Sequence, residues 1–204
     1  LGIKALSKLK VDTAATRGMG ILPNSDDEVI ESAAITGGKA YTNGDATKEL
    51  FLEIAPNAKI LHLAMHGFIV HEQPLNSGMI FSRSKLTDDY ILKAADLYSM
   101  QLNADLVVLS ACETGLGEIE NGNGIAGLRR AFHLAGANSV ASTLWQIPDL
   151  DTAKLMTQFF DRLAGGESKT YALRQAKLKR IANRRQRHGA AHPFFWAGFS
   201  ISGE

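Results

Sequence analysis

Apolar residues in this chain gather into short unbroken runs, and the stretches between the runs carry apolar residues at helical spacing. The sharpest run is Asp105-Leu106-Val107-Val108-Leu109-Ser110-Ala111, and Lys59 to Met65 and Ser139 to Trp145 read alike. A run of this length that is apolar on both faces suits a parallel strand covered on each side. Shorter strands are predicted at Lys39-Ala40-Tyr41 and Gly78 to Ser82, and an aromatic-rich one from Phe194 to Ile201. Between the runs, Val29, Ile30 and Ala33 share a helix face that Gly37-Gly38 ends, and Ser25 with Glu28 matches the S-x-x-E capping box. Asp45 or Thr47 starts a helix through Ile54, which Pro56-Asn57 breaks. Gly124 to Ala135 is helical through Ile125, Leu128 and Phe132, with Gly136 at the C′ position. Leu155, Met156, Phe159, Phe160 and Leu163 mark an amphipathic helix from Thr152 to Leu163, and a further helix runs from Glu167 to about Ile181. Thr87 to Met100 reads as a loop and a brief helix. Strands alternating with helices predict a mostly parallel sheet with helices on both faces. Residues 1–20 show little periodicity, so residues 1–21 are expected to be an N-terminal lead-in segment or linker and residues 22–204 one domain.

Composition narrows the function classes. At 204 residues the chain suits a single α/β domain with its own core. A formal net charge of +1 argues against broad electrostatic binding to nucleic acid or to an anionic membrane, so neither is expected as a partner. The apolar runs fall short of the roughly 20 residues that cross a bilayer, and no signal-peptide pattern opens the chain. The single cysteine fits a reducing compartment, with cytoplasm as the expected location. The chain opens on Leu1, as a piece of a longer protein would.

Two predicted strands end in residues whose chemistry fits together. In a parallel α/β sheet reacting groups gather beyond the carboxyl ends of the strands. One strand delivers His66-Gly67 and another Ala111-Cys112-Glu113. A thiol becomes a strong nucleophile once ionised, and an imidazole can take its proton. Glycine after the histidine leaves room for a substrate backbone, and the N–H groups of Gly67 and Cys112 are candidate oxyanion donors.

Five blocks carry a resemblance. Ile60-Leu61-His62-Leu63-Ala64-Met65-His66-Gly67-Phe68, Leu106 to Gly115 (with Ser110-Ala111-Cys112-Glu113-Thr114-Gly115), Gly124 to Phe132, Ser142-Thr143-Leu144-Trp145-Gln146-Ile147-Pro148-Asp149, and His192 to Phe199 resemble, in order, the CHAT domain family. That family is caspase-like, related to separases, and often joined to tetratricopeptide repeats. The resemblance implies a three-layer sandwich around a mostly parallel sheet, and a cysteine endopeptidase acting through a thioester acyl-enzyme. It carries His66 over as base and Cys112 as nucleophile, with no third catalytic side chain and no cofactor. Cys112 follows His66 by 46 positions, near the roughly 50 of the caspase signature. Asp149 and Asp151 lie in a stretch similar to the separase segment that supplies an acidic pocket, which implies cleavage after Arg or Lys. Trp145 stands beside that expected pocket. A protein or peptide substrate, and a repeat region or activating partner, are the implied partners.

Plainer assignments compete with several of these. A lone cysteine after an apolar strand is commonly a small buried hydrophobe. Asp149 or Asp151 can serve simply as a helix cap. His62, His66 and His71 lack the H-E-x-x-H glutamate, so no metal is expected and His62 reads as a core residue or one supporting the site from behind. The glycines from Gly115 to Gly124 do not complete a phosphate loop. Asn183 to His188 is a basic run that suits a helix C-terminus. Phe194, Phe195 and Trp196 read mostly as core. The rival to the peptidase is a catalytically silent or latent domain acting as an interaction module.

Overall fold

The computed structural model describes residues 3–7, 22–70, 73–110 and 123–203. Its strands are β1 (Ile3–Ser7), β2 (Lys39–Tyr41), β3 (Ile60–Ala64), β4 (Gly67–Phe68), β5 (Gly78–Ile80), β6 (Ile91–Lys93), β7 (Leu106–Leu109), β8 (Ser139–Thr143) and β9 (Phe199–Gly203). The helices are α1 (Ser25–Thr36), α2 (Lys48–Ile54), α3 (Ala94–Leu97), α4 (Asn123–Leu134), α5 (Asp149–Ala164) and α6 (Lys169–His188). Among the described residues the main sheet has the order β2-β1-β3-β7-β8-β9. Its strands run parallel except β9, which pairs antiparallel with β8 at the edge. The parallel class expected from the apolar runs therefore holds.

Side chains alternate across a strand, so each strand feeds two apolar layers. Leu61, Leu63, Val107, Leu109 and Val140 face Phe51 of α2, Leu97 of α3 and Leu128 and Phe132 of α4. On the other face Ile60, Ala64, Leu106, Val108 and Ala141 meet Val29 and Ala33 of α1, Leu155 and Phe159 of α5, and Leu173 of α6. Each fully buried Phe or Leu in these layers contributes roughly 1.5–3 kcal/mol of burial. Helices on both faces of one sheet make the three-layer sandwich.

Several local signals act as the sequence predicts. Gly37 adopts φ 66°, the left-handed conformation that ends α1, and Gly38 N donates to Ala33 O at 2.8 Å. Thr47 caps α2, its hydroxyl accepting from Leu50 N at 3.2 Å.

Other expectations need correction. Where a lead-in segment is expected, Ile3–Ser7 forms β1 and pairs with both β2 and β3. Five residues are too few for a period to stand out, and the strand exists because two neighbours hold it. The capping box does not form. Asn24 is the N-cap, Ser25 Oγ donates to Leu22 O at 2.8 Å, and Glu28 is turned into the protein. The last strand begins at Phe199, because Pro193–Phe195 coil into a 3₁₀ turn first. The stretch from Gly78 does not join the main sheet. It pairs with β4 and β6 in a separate antiparallel sheet, and β6 itself falls where a loop is expected. The helices α5 and α6 are longer than predicted, α5 starting straight after Pro148 and α6 running to His188.

Candidate active site

The two chemical strand ends are neighbours. Pairing of His62 with Val108 and Leu63 with Leu109 sets β3 and β7 level, and Ser110 N extends the ladder by donating to Leu63 O at 3.1 Å. Beyond β3 the chain reaches His66, buried with 1% of its surface exposed, and turns directly into β4. Ile80 N donates to His66 O at 2.9 Å, which pins the histidine backbone to the small sheet. In antiparallel pairing this bond makes Gly67–Met79 the non-hydrogen-bonded kind, so the Gly67 N–H is turned away from β5. Beyond Ser110 lies Cys112, outside the described residues together with His71 and the glycine-rich stretch after the cysteine.

Behind these ends sits a polar cluster drawn from three elements. His62 Nε2 lies 2.8 Å from Glu28 Oε1 and 3.1 Å from Ser110 Oγ, and all three residues are buried. The His62 ring packs against Phe160 with centroids 5.0 Å apart. Glu28 carried a capping signal in sequence, so nothing local marked it as the partner of a histidine 34 positions away.

The acidic residues proposed for a pocket separate in the structure. Asp149, half-buried at the start of α5, accepts through Oδ2 from Asn24 N at 2.6 Å and Asn24 Nδ2 at 2.8 Å. It braces the first turn of α1 rather than capping its own helix. Asp151 is buried and occupied, bonded to the Arg180 guanidinium and, at 3.0 Å, to Arg184 Nη1. Its carboxylate is an internal tie between α5 and α6, already paired with two cations.

Trp145 follows the carboxyl end of β8 and is half-buried, its Nε1 donating to Phe194 O at 2.9 Å. Leu144 N donates to Gly198 O at 2.8 Å, and a Cβ on Gly198 would sit 3.1 Å from Trp145 Cε2. The indole thus rests on a glycine, at the same sheet end as His66. Phe194 and Leu144 are exposed here. Two cavities lie elsewhere, one lined by Ile60, Asp105, Leu106 and Lys169 and one between α6 and β9. Among the described residues no helix is long and apolar enough to cross a membrane, and no three His, Cys, Asp or Glu side chains group as metal ligands would.

Comparison with known proteins places this geometry. The family model described as CHAT domain matches residues 7–204. Tetratricopeptide repeat protein 28 of Mus musculus is 24% identical over 216 aligned residues, covering 90% of this chain and 9% of its own length. The Homo sapiens protein of the same name is also 24% identical, with 90% and 8% covered. The chain therefore spans under a tenth of the length of the curated relatives it matches. Separase, in the Saccharomyces cerevisiae separase–securin complex, superposes with a TM-score of 0.56 at 16% identity, covering 99% of this chain and 12% of that one. That likeness is one of fold, the caspase-like α/β arrangement.

Proposed function

This chain belongs to the CHAT domain family, and from that premise we propose that it is a cysteine endopeptidase acting through His66 and Cys112. The observation that carries the reading is the level pairing of β3 with β7, which sends the strand ends leading to His66 and to Cys112 out side by side. His66 takes the proton of the Cys112 thiol, and the thiolate attacks the scissile carbonyl carbon. The N–H groups of Gly67 and Cys112 hold the resulting oxyanion. The orientation of Gly67 away from β5 supports that role. His66 then protonates the leaving amine, and the thioester that remains is hydrolysed by water.

Asp149 is the acid we assign to a basic residue before the cut, with Trp145 as a wall of the same pocket. Both follow the carboxyl end of β8, next to β7 in the sheet. A protein or peptide is the substrate, and the compartment is cytoplasmic. The test is a probe bearing an acyloxymethyl ketone after Arg, with the adduct located by mass spectrometry. Labelling at Cys112 should fall by about two orders of magnitude or more in His66→Ala, the range expected for losing a general base. Labelling at Cys112 that ignores His66→Ala overturns the dyad.

A second reading has its own support. His66 is buried, and a base that serves a substrate must be reached by it. The chain also matches only a small part of long relatives named for tetratricopeptide repeats. A latent domain, opened by a repeat region or an activating partner, accounts for both, and a silent interaction module is its limiting case. Wild type that labels only after the repeat region or partner is added favours latency, and wild type that never labels favours the silent module.

A further inference from the structure

We propose that Glu28, His62 and Ser110 form a positioning device that sets the separation of His66 and Cys112; the inference rests on the dyad proposed above. The three residues come from three different elements. Glu28 is on α1, His62 is the middle residue of β3, and Ser110 is the first residue past β7. His62 stands four positions before His66, and Ser110 two before Cys112. One imidazole nitrogen, Nε2, faces both the Glu28 carboxylate at 2.8 Å and the Ser110 hydroxyl at 3.1 Å. A proton on this nitrogen is donated to the Glu28 carboxylate, which holds the tilt of the ring. The opposite nitrogen, Nδ1, is buried and has no hydrogen-bond partner among the described residues. A ring held from one side only is aimed, and what it is aimed at is the end of β7.

Bland stabilisation accounts poorly for this arrangement. A buried ionisable pair is often no better for stability than apolar residues of the same size. Phe160 packs against the ring and Val108 stands opposite it in the neighbouring strand. Leu at both positions would fill such a layer. A directional bond between the two strand ends gives what apolar packing lacks, namely one fixed distance. Backbone pairing already joins β3 to β7, and among the described residues its last rung is Ser110 N to Leu63 O. The Ser110 hydroxyl is the tie that follows. A displacement of about 1 Å between nucleophile and base is enough to lose much of their cooperation.

The experiment reads Cys112 directly, because it is the only cysteine in the chain. The rate of alkylation by iodoacetamide is followed from pH 5 to pH 10 in wild type, His66→Ala, Ser110→Ala, His62→Gln and the double variant Glu28→Leu/His62→Leu, each checked for folding by circular dichroism. The expected wild-type thiol titrates well below the ordinary cysteine value of about 8.5, and His66→Ala moves it up. The double variant keeps the wild-type thermal midpoint or exceeds it, yet alkylates about tenfold more slowly at pH 7, with its pH profile moved toward the ordinary thiol. His62→Gln retains an N–H near the Nε2 position and stays close to wild type. Ser110→Ala, which removes one hydroxyl, follows the double variant and decides the matter if that variant does not fold. Wild-type rates and profiles in folded Ser110→Ala or in the double variant overturn the positioning role while leaving the dyad intact. An ordinary thiol in wild type overturns the dyad, and the inference falls with it.

Discussion

Asp149 accepts two hydrogen bonds from Asn24, one from the backbone N–H at 2.6 Å and one from the side-chain amide at 2.8 Å, across 125 residues of sequence. The bond ties the N-cap of α1 to the first turn of α5, the two helices packed side by side on one face of the sheet. Asp149→Ala should cost about 1–2 kcal/mol in denaturant unfolding, the usual worth of hydrogen bonds to a half-buried charged acceptor. Asp149→Asn, which keeps an oxygen at the same place, should lose less. If Asp149 also receives the basic residue of a substrate, Asp149→Ala loses labelling by the Arg probe and keeps labelling by an apolar one. Equal loss with both probes leaves Asp149 as a brace alone.

Asp151 sits between two arginines, and Arg184 lies over the Phe195 ring with its guanidinium carbon 3.5 Å from the centroid. Asp151→Ala strands two largely buried guanidinium groups without their counter-charge. The expected loss is about 3 kcal/mol, at the lower end for breaking a buried pair because Arg184 keeps some contact with water. Probe labelling below the unfolding transition should keep its preference for Arg. A lost preference without lost stability would return Asp151 to the pocket.

Lys48 is a buried cation whose Nζ reaches Asp89 at 2.7 Å, Asp96 at 3.1 Å and Ile91 O at 2.8 Å. Burial lowers its pKa, but the hydrogen bonds and charges of the two aspartates outweigh burial and leave it raised above 10.5. A raised folded value means the native state holds this proton more tightly than the unfolded chain. The stabilisation is therefore complete below the unfolded pKa and is lost as pH climbs through the folded one. Lys48→Met should be less stable than wild type at pH 7, and the gap should narrow above about pH 10.5. Urea unfolding of both proteins from pH 7 to pH 11 reads the gap. A gap that is constant with pH assigns the effect to packing of the lysine stem.

Gly78 pairs with Lys93 of β6, and a Cβ there would stand 2.6 Å from Leu92 O, a backbone atom unable to swing aside. Gly78→Ala should cost about 2 kcal/mol, the typical penalty of overpacking. Because the same small sheet holds the His66 carbonyl and sets the direction of Gly67, probe labelling should fall more than in a core variant of equal stability outside that sheet, such as Leu155→Ala. Equal labelling at equal stability would separate the small sheet from the chemistry.

Much of the architecture was legible because its causes are local. The runs at Leu106–Leu109 and Ser139–Thr143 carry apolar or small residues on both faces, and both became central strands. Gly37 and Thr47 terminate and start helices through bonds made within four residues. Glu28 shows where local reading stops. Its spacing from Ser25 is that of a capping box, a motif stabilised by a few tenths to about 1–2 kcal/mol at most. Burial against His62 competes with that small term and wins, and the histidine responsible is on another element.

What the sequence determined by itself is therefore the order and kind of the main elements, the family, and the presence of a histidine and a cysteine just past two apolar runs. The tertiary structure decided the partners. It made Ile3–Ser7 an inner strand, gave Glu28 to His62, gave Asp149 to Asn24, and closed Asp151 between Arg180 and Arg184. Periodicity and caps are fixed by neighbours a few residues away, so a single segment reveals them. A buried polar group takes whichever complementary group the packed layers bring within about 3 Å, and that choice exists only after the layers have formed.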